Sequence, residues 1–188
     1  RCNIILPEDY QIPPDGLNIR WPDSPHEQER RLHEYKLDAV RAFVRANRLN
    51  RVLMDSQNAR IGILSTGKAL LDTRLALDEL SLGPQEAEVL GVRLMQVAMT
   101  WPLEPEGILE FSQGLKLIVV IEEKRGVIEP QLKELLYHTA DAPQVIGKQD
   151  EQGALLFPSA GALDPNHIAL TLSDGILQRC TPKASSET

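Results

Sequence analysis

LIVVIEEKRGVIEPQLKELLY, residues 117–137, is the stretch on which the fold turns. It opens as a continuous apolar run, breaks at Glu122, Glu123, Lys124 and Arg125, and then resumes with apolar residues at helical spacing. That succession spells strand, charged turn, helix, the repeating unit of an α/β sheet. Pro130 fits such a helix only if it lies within the first turn. The charged turn would stand at the carboxyl end of the strand, where open α/β sheets receive ligands or partners.

The same alternation extends in both directions. Upstream, residues 61–64 and 92–98 read as strands, with helices over 68–80 and 105–113, and Gly83 is placed to end the first of these helices. Downstream, residues 144–146 form a fourth short strand, and Asp164 followed by Pro165 starts a last helix whose Ile168 and Leu172 turn inward. The expected fold is therefore α/β: a mainly parallel open sheet with helices on both faces, over residues 60–179.

Ahead of it, residues 1–25 carry five prolines and an Asp15-Gly16 turn signal and read as an extended linker. Ser24-Pro25-His26-Glu27 supplies an N-cap, a proline at the first helical position and a glutamate for a capping box. The connecting helix over 26–50 carries an apolar stripe of Leu32, Tyr35, Ala39, Val40, Phe43 and Val44. Residues 180–188 read as a frayed tail.

The 188-residue chain is 42% hydrophobic and 25% charged, an ordinary composition for one core. A net charge of -7 and a pI near 5.1 argue against a nucleic-acid or anionic-membrane binder. Residues 26–51 run the other way, with seven basic against four acidic side chains, so a basic helix stands beside an acidic body. No apolar run is long enough to span a bilayer, and a cytoplasmic location is expected. Cys2 and Cys180 are too few for a disulfide framework. The chain opens on Arg1, which suggests a piece of a longer polypeptide.

Residues 62–69, GILSTGKA, match a phosphate-binding P-loop except at the end. Such a loop needs a hydroxyl after its lysine to ligate Mg²⁺, and Ala69 has none; Ile63 and Leu64 also continue a strand pattern. The blander reading is a strand, a Ser-Thr-Gly turn and a helix whose first amides could receive an anion. His26-Glu27 and His33-Glu34 begin like zinc-protease motifs, but Arg30 and Leu37 stand where the second histidine would be. Ser173-Asp174-Gly175 is a chance fragment of a thiamine motif. The residues that the pattern gathers at one sheet edge are Thr66, Gly67, Lys68, Trp101, Glu122, Glu123, Lys124 and Arg125, and they read as a surface for docking neighbouring domains. A nucleotide-binding module using residues 62–69 and a stand-alone interaction module remain the competing classes.

Four passages together, GKALLDTRLALDEL (67–80), GVRLMQVAMTWPLEPEGILEF (91–111), EEKRGVIEPQLKELLY (122–137) and VIGKQDEQGALLFPSAGALDPNHIA (145–169), resemble the indolepyruvate:ferredoxin oxidoreductases. They cover most of residues 60–170, with Leu71 where the family commonly has tyrosine and Ala98 where glycine is common. The resemblance implies a domain similar to the carboxyl-terminal domain of transketolase, within a parent that oxidatively decarboxylates aryl 2-oxo acids such as indolepyruvate. It further implies thiamine diphosphate, magnesium and 4Fe-4S iron-sulfur clusters elsewhere in the parent, coenzyme A and ferredoxin as its partners, and a homodimeric assembly. No cofactor motif falls within this chain, so it is expected to bind none and to be inactive by itself.

Overall fold

The computed structural model describes residues 3–177. The tail at 180–188 and both cysteines lie outside the described residues. Residues 3–24 contain no helix or strand and lie along the helix that follows. Asn47 clasps the backbone of Ile5 from both sides, at 2.9 and 2.8 Å, the Tyr10 hydroxyl donates to the Tyr35 carbonyl, and Arg31 donates to the Gly16 carbonyl. The turn at Asp15-Gly16 forms with Gly16 at φ 72°, a conformation that suits glycine.

The connecting helix is α1, Pro25–Arg31, and α2, Leu37–Ala46, joined through a π-helical turn, Leu32–Lys36. Ser24 caps it as expected, accepting from the Glu27 amide at 3.2 Å, but the Glu27 carboxylate pairs with Arg30 rather than closing the capping box. The π turn inserts an extra residue and so shifts the helical phase. The single stripe drawn through Leu32 and Val44 is therefore split: Leu32 is exposed while Ala42 and Val44 are buried.

Five strands make one sheet in the order β1-β3-β2-β4-β5, with β1 Arg51–Met54, β2 Ile61–Ser65, β3 Val92–Gln96, β4 Leu117–Ile121 and β5 Gln144–Ile146. β2 pairs in parallel with β3 on one side and β4 on the other, and β5 extends the sheet in parallel beside β4. β2 and β4 are buried at every residue, because helices cover both faces of a parallel sheet. The helices are α3 (Gly67–Glu79), α4 (Pro84–Leu90), α5 (Pro105–Ser112), α6 (Ile128–Leu136) and α7 (Pro165–Thr171). One core holds Ile61, Ile63, Leu94 and Val119 against α3 and α7; the other holds Leu64, Met95, Ile118 and Val120 against α5 and α6.

Two elements differ from the sequence reading. β1 lies upstream of residue 60 and runs antiparallel to β3, with a register shift between Val52 and Met54. Gly83 does not end α3: Ser81 adopts the left-handed turn at φ 54°, and Leu82 donates to the Leu77 carbonyl at 2.8 Å to close the helix. Gly83 instead caps α4, its amide donating to the Glu86 carboxylate. Pro130 does sit in the first turn of α6.

Candidate functional site at the carboxyl edge of the sheet

From β2 the chain steps to β3 on one side and then crosses back to β4 on the other, so the winding reverses between β2 and β4. Their carboxyl ends part there into a cleft of about 180 Å³, walled by Thr66, Lys68, Glu122, Glu123 and Arg125. This is the switch point at which α/β sheets place ligands. Five of the eight residues picked from the sequence meet in it. Gly67 sits beside it at φ 53°, with open space where a Cβ would stand.

Each acidic group at this edge already has work inside the fold. Glu122, 4% exposed, accepts from the amides of Val127, Ile128 and Glu129 at 2.9, 3.0 and 3.1 Å, and so caps α6. A carboxylate holding three orphan amides also neutralises the positive pole of the helix. Glu123 accepts from the Leu163 amide at 3.2 Å and from Lys68 at 3.3 Å, and these two donors, the amide first, hold its carboxyl below the usual carboxylate range. Lys68 also reaches Asp72 at 2.5 Å and the Leu163 carbonyl at 3.4 Å, and its ammonium is pushed above the ordinary lysine value, chiefly by Asp72. Thr66 donates its hydroxyl to the Val97 carbonyl at 2.7 Å and leaves the first amides of α3 without a side-chain cap.

The rest of the turn faces outward. Lys124, at φ 57°, donates to the Gly161 carbonyl at 2.5 Å. Arg125 is exposed and has no partner among the described residues. Trp101 lies in the loop after β3, 57% exposed, and takes no part in the cleft.

Sequence reasoning missed Lys148. Its ammonium donates to the Glu122 carbonyl and, at 3.4 Å, to that of Pro158, while its amide donates to the Glu129 carboxylate at 2.9 Å. Burial holds this ammonium below the ordinary lysine value, against the pull of Glu122, Glu129 and Glu123. The rule that drew attention to the turn after β4 would have found it, since Lys148 follows the carboxyl end of β5.

The P-loop reading fails on geometry. Gly62 to Ser65 are β2 itself, fully buried, so no loop exists between the two glycines to wrap a phosphate. Gly62 serves packing: a Cβ there would meet Phe111 at 2.8 Å. Nor do the edge residues fit the magnesium diphosphate of thiamine. Such a site needs free carboxylate or carbonyl oxygens around the ion, and Glu122 and Glu123 are engaged with amides and Lys68. Among the described residues no group of three or more His, Cys, Asp or Glu could hold a metal ion.

A larger trough, about 1210 Å³, lies between α2, β1 and α5. The basic helix faces the acidic body across it: Arg45 bonds the buried Glu104 at 2.9 Å, Glu106 at 3.2 Å and, in the linker, Asp9 at 2.5 Å. Glu104 in turn caps α5, accepting from Glu106 and Gly107. The charge asymmetry thus fastens the connecting helix to the sheet domain.

A reversed α/β sheet edged by a self-occupied charged turn defines a class of domain, not yet a family. The sequence profile of the indolepyruvate oxidoreductase domain matches residues 51–186, starting at the first residue of β1, and the chain belongs to that family. No curated protein sequence matches it. Among solved structures it is similar to a split-gene transketolase, an inactive beta4 tetramer, at 18% identity and TM-score 0.43, over 70% of this chain and 40% of that one. It is also similar to the 2-oxoglutarate:ferredoxin oxidoreductase of Magnetococcus marinus, with 2-oxoglutarate, coenzyme A and succinyl-CoA bound. There the identity is 18% and the TM-score 0.45, over 80% of this chain and 23% of that one. The chain spans less than half the length of either. No helix among the described residues is long and apolar enough to cross a membrane.

Proposed function

We propose that this chain is a non-catalytic, architectural domain of a 2-oxoacid:ferredoxin oxidoreductase that acts on aryl 2-oxo acids such as indolepyruvate. Thiamine diphosphate, magnesium and 4Fe-4S clusters are held by other parts of that enzyme, whose partners are ferredoxin and coenzyme A, and the protein works in the cytoplasm. Thr66, Gly67, Lys68, Trp101 and the turn from Glu122 to Arg125 form the edge offered to neighbouring domains. Family membership supports the oxidoreductase part of this reading. The observation that carries the non-catalytic part is the state of the two edge carboxylates: both are engaged within the fold, which leaves Arg125 and Trp101 as the outward-facing groups. An exposed tryptophan and an unpaired arginine are the residue types that anchor protein interfaces.

Titration calorimetry of the chain with thiamine diphosphate and Mg²⁺ tests the assignment. The expected result is no saturable heat. Saturable, stoichiometric binding, lost on Lys68→Ala or Arg125→Ala, would place a cofactor site on this edge and overturn the architectural reading.

A further inference from the structure

Between β5 and α7 the chain runs along the carboxyl edge of the sheet, and the part from Pro158 to Leu163 is attached there by side chains only. Among the described residues, none in this segment makes a backbone–backbone hydrogen bond. Its bonds come from charged groups of the edge. Lys148 donates to the Pro158 carbonyl at 3.4 Å, Lys124 to the Gly161 carbonyl at 2.5 Å and Lys68 to the Leu163 carbonyl at 3.4 Å, while Glu123 accepts from the Leu163 amide at 3.2 Å. Residues 159–162 are exposed, and Leu163 is the segment's one buried side chain. The ends are firmer: Phe157 is fully buried, and Asp164 caps α7 by accepting from the Asn166 amide at 3.0 Å.

Stability within a fold is graded, and a segment with few buried apolar contacts opens before the rest. Detaching this one exposes Leu163 and breaks a few side-chain bonds, whereas unfolding the sheet exposes both cores and the ladders between β2, β3 and β4. Detachment also strands no charge. Lys68 keeps Asp72 and Glu123, Lys148 keeps the Glu122 carbonyl, and Lys124 already stands at the surface. The freed carbonyls and amide of the segment turn to water, so no buried polar group is left without a partner.

We infer that residues 158–163 are a strap, latched by Lys68, Glu123 and Lys124, that opens as a unit while the sheet stays folded. Lys68 and Glu123 wall the cleft at the switch point, so the strap sets what this edge presents. Closed, the edge offers Arg125 and Trp101; open, it adds the charges of Lys68, Glu123 and Lys124. That consequence rests on the docking reading of the edge, whereas the opening is a property of the chain alone.

Amide hydrogen exchange of the whole chain, followed residue by residue by NMR at low urea concentrations, is the test. The Leu163 amide should exchange at least about a hundredfold faster than those of Val119 and Val120 in β4, at a rate that urea below the unfolding transition leaves unchanged. Lys124→Met removes a bond that does not touch this amide, and it should still speed Leu163 exchange at least about threefold while the β4 amides keep their rates. Leu163 exchange that matches β4 in rate and urea dependence overturns the inference, because the segment then opens only with the sheet. So does Lys124→Met if it leaves Leu163 exchange unchanged, since the segment then does not move as a unit, or if it accelerates β4 equally. Cofactor binding at the edge would remove the docking reading and leave this exchange pattern standing.

Discussion

Glu122 stands at the first position after β4 with three backbone amides on its carboxylate and its own carbonyl on Lys148. Replacing it by alanine would strand those amides near the buried start of α6, a loss of about 2 kcal/mol that a lowered urea midpoint should report. Glu122→Gln keeps an acceptor oxygen and should lose less. Its neighbour Glu123 sets a pH dependence. The folded carboxyl is held low by the Leu163 amide and Lys68, so the folded state binds this proton less readily than the unfolded one. The resulting stability is fully present above the ordinary carboxylate range and is lost as pH falls through the lowered folded value. Urea titrations across that acid range should therefore show a shallower decline for Glu123→Gln than for the parent chain. These roles were half legible: EEKR announces a charged turn after a strand, but the Leu163 amide, the Gly161 carbonyl and Lys148 come from distant sequence and meet the turn only in the fold.

β2 and β4 show what an element's sequence can and cannot say. Both are short apolar runs, with Ser65 as the one polar residue at the carboxyl end of β2, since a central parallel strand is buried on each face and leaves few polar positions to interrupt it. Gly62 is the exception within β2, and the helix α5 explains it. Phe111 and Leu115 pack over the glycine so closely that Gly62→Ala should destabilise the chain by about 1–3 kcal/mol through overpacking, measurable as a shift in the denaturation midpoint with secondary structure retained. β1 gave no comparable signal. Arg51–Met54 is four residues long, largely exposed and antiparallel, and only its pairing with β3 makes it a strand. The connecting helix was legible as a helix, but the phase shift at Leu32–Lys36 left no mark that propensity could register.

At the scale of the molecule, Arg45 ties the linker, the connecting helix and the sheet domain together through Asp9, Glu104 and Glu106. Arg45→Ala would leave the buried Glu104 carboxylate with its two capping amides alone, at a cost of about 1–2 kcal/mol. The expected consequence has two parts: trypsin should cleave beyond α2, after Arg48 or Arg51, several-fold faster than in the parent chain, and the thermal midpoint of the sheet domain should fall by about 2–8 °C. Equal cleavage rates would show that the clamp does not govern how the helix is held.

Local signals determined the local matters. Apolar runs marked the inner strands, proline, glycine and capping residues marked the helix starts, and the order of these elements was enough for an α/β sheet, because periodicity and turn chemistry act between near neighbours. Tertiary structure alone decided the antiparallel edge strand, the packing role of Gly62 and the engagement of Glu122 and Glu123. Each of those depends on groups brought together from tens of residues apart, where burial and hydrogen-bond satisfaction, rather than local propensity, set the outcome.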